Sequence, residues 1–346
     1  MASGGVDVTV RGAGIFGLSC AWACVSRGAR VRVVDPFGPG AGSSGGLVGA
    51  LAPHVPETWN EKKAFQLDSL LMAEDFWAEV EATGGVTAGY ARSGRLQPLA
   101  DAGAVELARA REGTAAQLWQ GRASWQVIAA TGAPWEPVSP SGYLIHDTLT
   151  ARMHPRRACA ALVAALRARG VEVGTEAPDA GAVIWATGAA GLAELSAEAG
   201  RQVGVPIKGQ AALLRHDAGA VPQIFAGGVH VVPHADGTVA VGSTTEREFE
   251  GLGTDAQLDA VIEAARAAVP VLRAAPVIER WAGLRPRARS RAPMLGAWPG
   301  RAGHYIANGG FKIGFGMGPK VGAVMADLVL EGRDTIPEGF RAEALF

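Results

Sequence analysis

The chain has 346 residues, of which 48% are hydrophobic and 19% are charged, a length typical of about two domains. Its 32 Lys and Arg residues nearly balance 33 Asp and Glu residues, which argues against a partner such as nucleic acid or an anionic membrane surface. Three cysteines are too few for a four-thiolate metal site or a disulfide framework, and no His, Asp or Glu spacing predicts a metal site. The sequence shows no apolar run of 18 residues and no secretory leader, which predicts a cytoplasmic protein without a membrane span.

The first elements predict a parallel strand–helix–strand unit. A valine-rich strand ends at Arg11, a glycine turn follows, and residues 18–27 predict a helix that stops before Gly28. Residues 31–34 predict a second strand, which ends at Asp35. Two parallel strands joined by a helix are typical of nucleotide-binding α/β folds.

The rest of the chain alternates between helical and strand-rich segments. The periodicity predicts helices over 64–82 and 154–169, and strands over 171–173 and 182–186. Asp236-Gly237 lies between two valine pairs and predicts a β-hairpin. Thr254 with Gln257 predicts a capped helix, and Pro319 predicts the start of a final helix that ends before Gly332.

A glycine motif follows the first predicted strand. It reads Gly12-Ala-Gly14-Ile-Phe-Gly17, a G-x-G-x-x-G placed between strand and helix. In this motif the first glycine permits the tight turn, the second lets the backbone approach a pyrophosphate, and the third allows close helix–sheet packing. Asp35 stands where a carboxylate accepts hydrogen bonds from ribose hydroxyls. We therefore predict a dinucleotide site rather than a plain glycine-rich turn.

The residues that follow favour FAD over NAD. The run from Pro39 to Gly46 offers small residues and the hydroxyls of Ser43 and Ser44 for a second backbone approach, which a nicotinamide site does not need. A later strand ends in Ala186-Thr187-Gly188, which predicts a second place where the backbone lies close to the cofactor. In a chain rich in Ala and Gly, so short a motif is also explained by chance.

The interleaved pattern predicts an α/β plus α+β fold with two discontinuous domains. A Rossmann-type FAD-binding domain comprises residues 1–85, 142–202 and 280–346. An interleaved antiparallel-sheet substrate domain comprises residues 86–141 and 203–279.

Four segments carry a resemblance to a known family: the first fifty residues, Pro206-Ile-Lys-Gly-Gln210, Trp281-Ala-Gly-Leu-Arg285-Pro and Gly309-Gly-Phe-Lys-Ile313. Together they resemble the D-amino-acid oxidase superfamily, nearest to glycine oxidase and monomeric sarcosine oxidase. The chain departs from the family in a short 170–182 segment, the segment in which the resemblance implies adenine contacts, with Val173 as the candidate. It also has no cysteine in its C-terminal half, so the resemblance implies noncovalent FAD.

The resemblance and the motifs together imply a set of cofactor contacts. The predicted residues are Gly12, Gly14, Ile15, Phe16, Gly17, Asp35, Pro36, Ser43, Ser44, Leu47, Val48, Val173, Ala186, Thr187, Gly188, Gly310, Phe311, Lys312 and Ile313.

Four residues are candidates for the substrate pocket. The resemblance implies that Arg285 grips a substrate carboxylate, because a guanidinium forms two parallel charge-assisted hydrogen bonds with it. The alternative places Arg285 with Arg280, Arg287, Arg289 and Arg291 on a solvated basic edge. Lys312 is a second carboxylate ligand or a surface lysine. His230 lines the pocket or is a satisfied strand histidine. His54 is a further pocket candidate, because the resemblance implies that its segment lies beside the flavin.

The implied reaction is oxidation of glycine, a D-amino acid or an N-methyl glycine. Hydride passes from Cα–H to flavin N5 and gives an imino acid, then a 2-oxo acid, with H2O2 formed from dioxygen. Alternatives are a dehydrogenase that uses a quinone or carrier protein, a 2-hydroxy-acid oxidase, a NAD-dependent dehydrogenase, and a flavin-binding protein without turnover. The sequence predicts no catalytic base, and it leaves open whether the chain forms a homo-oligomer.

Overall fold

The computed structural model describes residues 5–346. Within these residues there are seven α-helices: α1 (Ile15–Val25), α2 (Glu61–Gly84), α3 (Ala102–Leu118), α4 (Pro155–Ala168), α5 (Gly188–Glu198), α6 (Ala256–Ala268) and α7 (Gly314–Glu331). None of these helices combines the length and the apolar character that crossing a lipid bilayer requires.

The same residues contribute sixteen strands in chain order. They are β1 (Val8–Arg11), β2 (Val31–Val34), β3 (Ala50–Leu51), β4 (Arg95–Pro98), β5 (Trp125–Ala129), β6 (Tyr143–Asp147), β7 (Ala151–Arg152), β8 (Glu172–Gly174), β9 (Ala182–Trp185), β10 (Gly204–Arg215), β11 (Gln223–Ala226), β12 (Val229–Pro233), β13 (Thr238–Gly242), β14 (Val277–Ala288), β15 (Met294–Ala297) and β16 (His304–Asn308).

One sheet has six strands in the order β15-β16-β9-β1-β2-β8. Strand β1 is parallel to both neighbours, so that Val10 lies opposite Val33 on one side and Ile184 on the other. These three side chains are fully buried, as expected of central parallel strands that are covered on both faces. The carboxyl ends of β1, β9 and β16 therefore meet at one edge, and each of these strands is followed by a turn that contains glycine.

The second sheet has eight strands in the order β14-β10-β13-β12-β11-β4-β6-β5. Its longest pair, β10 and β14, places Ile207 opposite Arg285, Gly209 opposite Gly283, and Ala211 opposite Trp281. Because directly opposed residues of an antiparallel pair point to the same face, these six residues share one face of the sheet. The predicted hairpin around Asp236-Gly237 is confirmed as β12 and β13.

Helices α1 and α7 pack closely because both carry small residues. A Cβ atom on Gly322 would lie 2.4 Å from the carbonyl oxygen of Ser19, and one on Gly318 would lie 2.9 Å from its hydroxyl. The helix that follows the glycine motif thus fixes the N-terminus of α7 beside the first turn of the parallel sheet.

Three helix boundaries differ from the prediction. Helix α1 begins at Ile15, directly after Gly14, one turn earlier than predicted. Helix α7 begins at Gly314, so Pro319 lies inside it rather than opening it. Asp255, not Thr254, caps α6, because its carboxylate accepts a hydrogen bond from the backbone N–H of Gln257.

The predicted domain limits stay a prediction, but two strands lie outside the sheet they were assigned to. Strand β6 and the part of β14 after residue 280 were placed in the FAD-binding domain, whereas both belong to the eight-stranded sheet. Strand β6 pairs with β4 and β5, a pairing between distant segments that local sequence patterns do not reveal.

Candidate active site

The turn after β1 contains glycines that lie too close to neighbouring backbone atoms to carry a side chain. Gly12 has φ of +105°, which favours glycine, and a Cβ atom on it would lie 2.3 Å from the carbonyl oxygen of Ala186. A Cβ atom on Gly17 would lie 1.9 Å from the carbonyl oxygen of Gly12. Gly14 faces only the Ser44 side chain, 3.1 Å from such an atom. The turn is thus closed against the sheet at Gly12 and Gly17 and less crowded at Gly14.

Helix α1 directs its N-terminus at this turn. The hydroxyl of Ser44 accepts a hydrogen bond of 3.0 Å from the N–H of Ile15, and the first turn of α1 contains no acidic residue. The first N–H groups of a helix lack intrahelical partners, and the helix dipole favours an anion there. These groups fit the diphosphate of a dinucleotide.

Asp35 lies at the end of β2 and organises the same turn. Its carboxylate accepts hydrogen bonds from the N–H groups of Ala13 at 2.7 Å and Phe37 at 3.0 Å. A carboxylate has about four acceptor positions, so two are left for ribose hydroxyls. Val173 lies on the neighbouring strand opposite Val33, and Gly174 accepts from the N–H of Asp35. The short 170–182 segment therefore still brings Val173 beside the predicted ribose site.

A buried asparagine that the sequence analysis missed joins two other turns of this edge. The side chain of Asn308 donates to the carbonyl oxygen of Gly188 at 2.9 Å and accepts from the N–H of Gly309 at 2.7 Å. Thr187 precedes α5 at its N-cap position. The Ala186-Thr187-Gly188 turn is therefore fixed to the segment after β16. An asparagine directly before Gly-Gly was the available signal.

The segment 310–313 connects the two sheets. A Cβ atom on Gly310 would lie 2.9 Å from the ring of Phe16, while the N–H of Phe311 donates to Pro286 of β14 at 2.9 Å. Phe311 has φ of +44°, an uncommon conformation for a residue with a side chain. Ile313 precedes α7, whose first turn contains no acidic residue. The positive end of this helix is therefore directed at the same region.

The remaining predicted cofactor contacts lie on two loops. Pro36 is exposed directly after Asp35, and Ser43 begins a short 3-10 turn that contains Ser44. Leu47 is buried, and Val48 packs against Gly242 of β13. The loop from Ser43 to Val48 thus runs from the glycine turn to the face of the eight-stranded sheet.

Arg285 lies on that face and occupies the space that Gly209 leaves free. A Cβ atom on Gly209 would lie 1.7 Å from Nη1 of Arg285, so the guanidinium lies flat on this glycine. Nη1 also donates to the carbonyl oxygen of Thr244 at 3.2 Å. Burial lowers the pKa of Arg285 to about 10, and the charge of Glu246 partly offsets this effect. Arg285 is therefore charged at neutral pH, and it forms no salt bridge with the residues that the structure describes.

Trp281 lies on the same face of the sheet as Arg285, and its side chain likewise lies over a glycine. A Cβ atom on Gly283 would lie 2.4 Å from the indole of Trp281, and one on Gly46 would lie 3.2 Å from it. The indole thus packs between the glycine of its own strand and the Ser43 to Val48 loop. The pairing of Gly209 with Gly283 in the sheet provides both flat surfaces.

A buried polar network lies behind Arg285. Lys208 contacts Glu246 at 3.2 Å and Asp255 at 3.1 Å, and the amide of Gln210 donates to both carboxylates at 2.9 Å. The hydroxyl of Thr244 accepts from the N–H of Gln210 and donates to Glu246. This network fixes the carbonyl group that orients Arg285. The sequence analysis quoted Lys208 and Gln210 only as part of a resemblance.

Lys312 lies near Arg285, and His230 lies near Lys312. Burial and the charge of Arg285 lower the pKa of Lys312, whose side chain remains partly exposed. Burial, followed by the charges of Arg95 and Lys312, lowers the pKa of His230 to about 3, so the imidazole is neutral. Its Nδ1 is buried and has no hydrogen-bond partner among the described residues, and its ring packs on Phe225 with centroids 4.6 Å apart. The place of His230 in the substrate pocket stays a prediction.

His54 lies elsewhere in the same neighbourhood. Its backbone N–H and its ring both contact the side-chain oxygen of Gln66 on α2. Burial lowers its pKa, and the nearby charges of Lys62 and Lys63 act in the same direction. No contact joins His54 to Arg285 or Lys312 in the described part of the chain, so its role at the flavin stays a prediction.

These features together fit a flavin dinucleotide. The residues that would hold its diphosphate and ribose are the glycine turn, Ser44 and Asp35, while the segment 310–313 and the N-terminus of α7 face the second half of the site. The adjacent face presents a fixed guanidinium that forms no salt bridge with the described residues. Such a site is able to bind a carboxylate next to a redox cofactor.

Comparisons with known proteins agree with this geometry. The chain is similar to the glycine oxidase of Pseudomonas aeruginosa, with 32% identity over 134 residues, which cover 38% of this chain and 36% of that protein. An uncharacterized oxidoreductase of Bacillus subtilis is 28% identical over 94% of both chains.

Solved structures show the same fold. Glycine oxidase from Geobacillus kaustophilus has a TM-score of 0.83 and 21% identity, covering 97% of this chain and 98% of its own. Iminodiacetate oxidase from Chelativorans sp. BNC1 has a TM-score of 0.85 and 23% identity, covering 96% and 98%. The model of the DAO family, described as FAD dependent oxidoreductase, matches residues 7–328. Because this match includes most of the chain, the protein belongs to the DAO family of FAD-dependent oxidoreductases.

Proposed function

We propose that this protein oxidises a small amino acid or N-substituted amino acid whose carboxylate binds Arg285. The observation that carries the proposal is the state of this arginine. It lies on Gly209, is oriented by the carbonyl of Thr244, remains charged, and forms no salt bridge with the described residues. A half-buried cation of this kind is stabilised when an anionic ligand binds it.

The distribution of neighbouring groups supports a carboxylate next to the cofactor. Phe311 is hydrogen-bonded to Pro286, which directly follows Arg285, and Gly310 packs on Phe16 of the glycine motif. A carboxylate on Arg285 therefore places the carbon next to it close to the segment that joins the two halves of the site. Relatives named glycine oxidase and a structural neighbour named iminodiacetate oxidase act on this class of compound, as their names state.

The chemistry requires little from the side chains beyond binding and orientation. Bound FAD supplies the two-electron acceptor, the amine becomes an imine, and water hydrolyses the imine to a 2-oxo acid. His230 has a pKa of about 3, so it is a weak base at neutral pH. We therefore propose that the substrate amine enters the reaction already deprotonated and that no residue of this chain acts as a catalytic base.

The electron acceptor after the oxidation is either dioxygen, which gives H2O2, or a quinone or carrier. We favour dioxygen because several relatives carry the name oxidase.

Anaerobic titration of the purified flavoprotein tests the proposal. Glycine, N-methylglycine, D- and L-amino acids and 2-hydroxy acids are added separately while the flavin absorbance is recorded. We expect an amino acid of this panel to bleach the flavin, and air to restore the colour with formation of H2O2. Bleaching by 2-hydroxy acids alone, or by no compound, contradicts the proposal, while slow recovery in air that a quinone accelerates identifies a dehydrogenase.

A further inference from the structure

Two cations, Arg287 and Lys312, lie over the ring of Phe311 next to Arg285, and three more lie close to these two or to each other. We call Lys62, Arg247, Arg287, Arg291 and Lys312 the cationic rim. The guanidinium of Arg287 lies 5.7 Å from the centroid of the Phe311 ring, and Nζ of Lys312 lies 5.9 Å from the same centroid. Lys62 of α2 donates to the carbonyl oxygen of Arg291. The rim thus combines residues from α2, the loop after β13, β14 with the loop that follows it, and the segment 310–313.

The charges of the rim are not compensated. No rim side chain forms a salt bridge with a carboxylate of residues 5–346, and the neighbours whose charges lower their pKa values are also cations. Burial is the main cause of the lowered pKa values of Arg287, Lys312 and Lys62. The charges of Arg291 and Arg247 lower the pKa of Arg287 further, that of Arg285 lowers the pKa of Lys312, and that of Arg291 lowers the pKa of Lys62. Because the whole chain carries a net charge of −1, this concentration of positive charge is local.

Several basic residues elsewhere on the surface are paired. Arg156 contacts Glu279, Arg301 contacts Glu198, and Arg341 contacts Asp334, each at 2.5 to 2.6 Å. Like charges placed close together repel, so an unpaired cluster is unfavourable unless an anion binds to it. A cleft lined by one sign of charge also concentrates ligands of the opposite sign.

A single carboxylate bound to Arg285 does not neutralise the positive charges of the cationic rim. Arg285 and Arg287 are two residues apart on β14, so they point to the same face with Cα atoms about 6.7 Å apart. Arg285 has Glu246 nearby as a partial counter-charge, whereas Arg287 has none. A ligand that spans this distance needs a second acid group separated from the first by a few atoms.

We infer that the substrate is a dicarboxylate, an amino acid or N-substituted glycine whose second acid group binds the cationic rim through Arg287 and Lys312. This inference rests on the proposed function, because Arg285 holds the first carboxylate. The reaction is the same amine oxidation. For N-(carboxymethyl)glycine, one methylene group is oxidised to the imine, and hydrolysis releases glyoxylate and glycine, with the electron pair passing to the acceptor named above.

Binding of acids that cannot be oxidised tests the inference on the holoenzyme. Acetate and malonate are titrated at constant ionic strength, and the change in flavin absorbance gives each Kd. We expect malonate to bind about tenfold more tightly than acetate, and Arg287→Gln to reduce this preference to about threefold or less. Arg122→Gln removes an exposed arginine just before β5, which lies at the opposite edge of the eight-stranded sheet from β14, and should leave both Kd values unchanged. If Arg287→Gln fails to fold, Arg291→Gln replaces it.

The outcomes separate the inference from the proposed function. Equal Kd values for acetate and malonate overturn the inference alone, and so does an unchanged preference in the rim variants. If neither acid perturbs the flavin, the carboxylate site on Arg285 is wrong and both fail. Catalysis gives a second readout: kcat/KM should be about tenfold higher for N-(carboxymethyl)glycine than for N-ethylglycine, which has the same number of heavy atoms along the chain but no second charge.

Discussion

Glycines shape both the edge of the parallel sheet and the face of the antiparallel sheet, but their neighbours differ. Gly12 and Gly17 approach backbone oxygens, at 2.3 and 1.9 Å from where a Cβ atom would be. Gly209 and Gly283 lie beneath the side chains of Arg285 and Trp281. A backbone atom of a packed turn does not move without shifting the elements that it joins, whereas a side chain is able to change rotamer. We therefore expect substitutions of Gly12 or Gly17 to disturb the fold and the binding of FAD. Substitutions of Gly209 or Gly283 should change substrate affinity alone.

The largest effect is expected for Gly17→Ala. The added methyl group collides with the carbonyl oxygen of Gly12, so the turn and α1 must separate. We expect FAD affinity to fall about a hundredfold or more, equivalent to about 3 kcal/mol, together with a lower Tm. Flavin absorbance per protein after gel filtration measures the loss. Gly113→Ala in α3 is the control, because a Cβ atom there meets no atom within 4 Å. Full retention of FAD in Gly17→Ala contradicts the assigned turn.

Arg285→Ala tests the second region directly. We expect KM for a carboxylate substrate to rise by roughly two to three decades, about 3–4 kcal/mol of lost charged pairing, with FAD retained. Arg285→Lys should recover part of the affinity, since it restores the charge without the planar pair of donors. Steady-state kinetics on the yellow protein measures both. A KM that is unchanged in Arg285→Ala rules out this arginine as the carboxylate ligand.

Gly209→Ala distinguishes the two kinds of glycine. Its methyl group would occupy the position of Nη1 of Arg285 and displace the guanidinium from Thr244, while the strand itself tolerates alanine. We expect KM to rise about ten- to a hundredfold, since a displacement of about 1 Å is enough for such losses. FAD content and Tm should match those of Gly113→Ala. A loss of FAD comparable to that in Gly17→Ala would show that the proposed difference between the regions does not exist.

The smallest expected effect is the change in ligand affinity with pH that the charge of Lys312 causes. Burial and the charge of Arg285 lower the pKa of Lys312 below its ordinary value of 10.5. Its positive charge is present at neutral pH and is lost as the pH rises through the lowered pKa. We expect the Kd of malonate to increase about two- to fivefold between neutral and alkaline pH. Lys312→Arg keeps its charge and should weaken this dependence, whereas Lys312→Met should bind malonate more weakly already at neutral pH. Identical pH profiles in all three proteins would exclude Lys312 from the site of the second carboxylate.

The parallel half of the fold was predicted from sequence because its signals are local. The strand before Gly12, the glycine spacing and Asp35 all lie within 28 residues, and short-range geometry determines their arrangement. The helix starts were less accurate: contacts with distant residues placed the starts of α6 and α7, with Asp255 tied to Gln210 of β10. The candidate list contained Arg285 and Lys312, but Asn308, Gly209 and the network around Glu246 were missed, because their roles depend on pairing between strands.

The sequence by itself determined the dinucleotide turn, the interleaving of the two sheets and the residue types that are suited to bind a carboxylate. Tertiary structure alone decided that Arg285 lies on Gly209 rather than on a solvated edge, since this follows from the register of β10 against β14. It also decided that Arg287 and Lys312 lie over the ring of Phe311, with Arg247, Arg291 and Lys62 nearby, and that none of them forms a salt bridge with residues 5–346. The physical reason is range: backbone conformation and hydrophobic periodicity act over a few residues, whereas charge compensation and close packing depend on segments that only folding brings together.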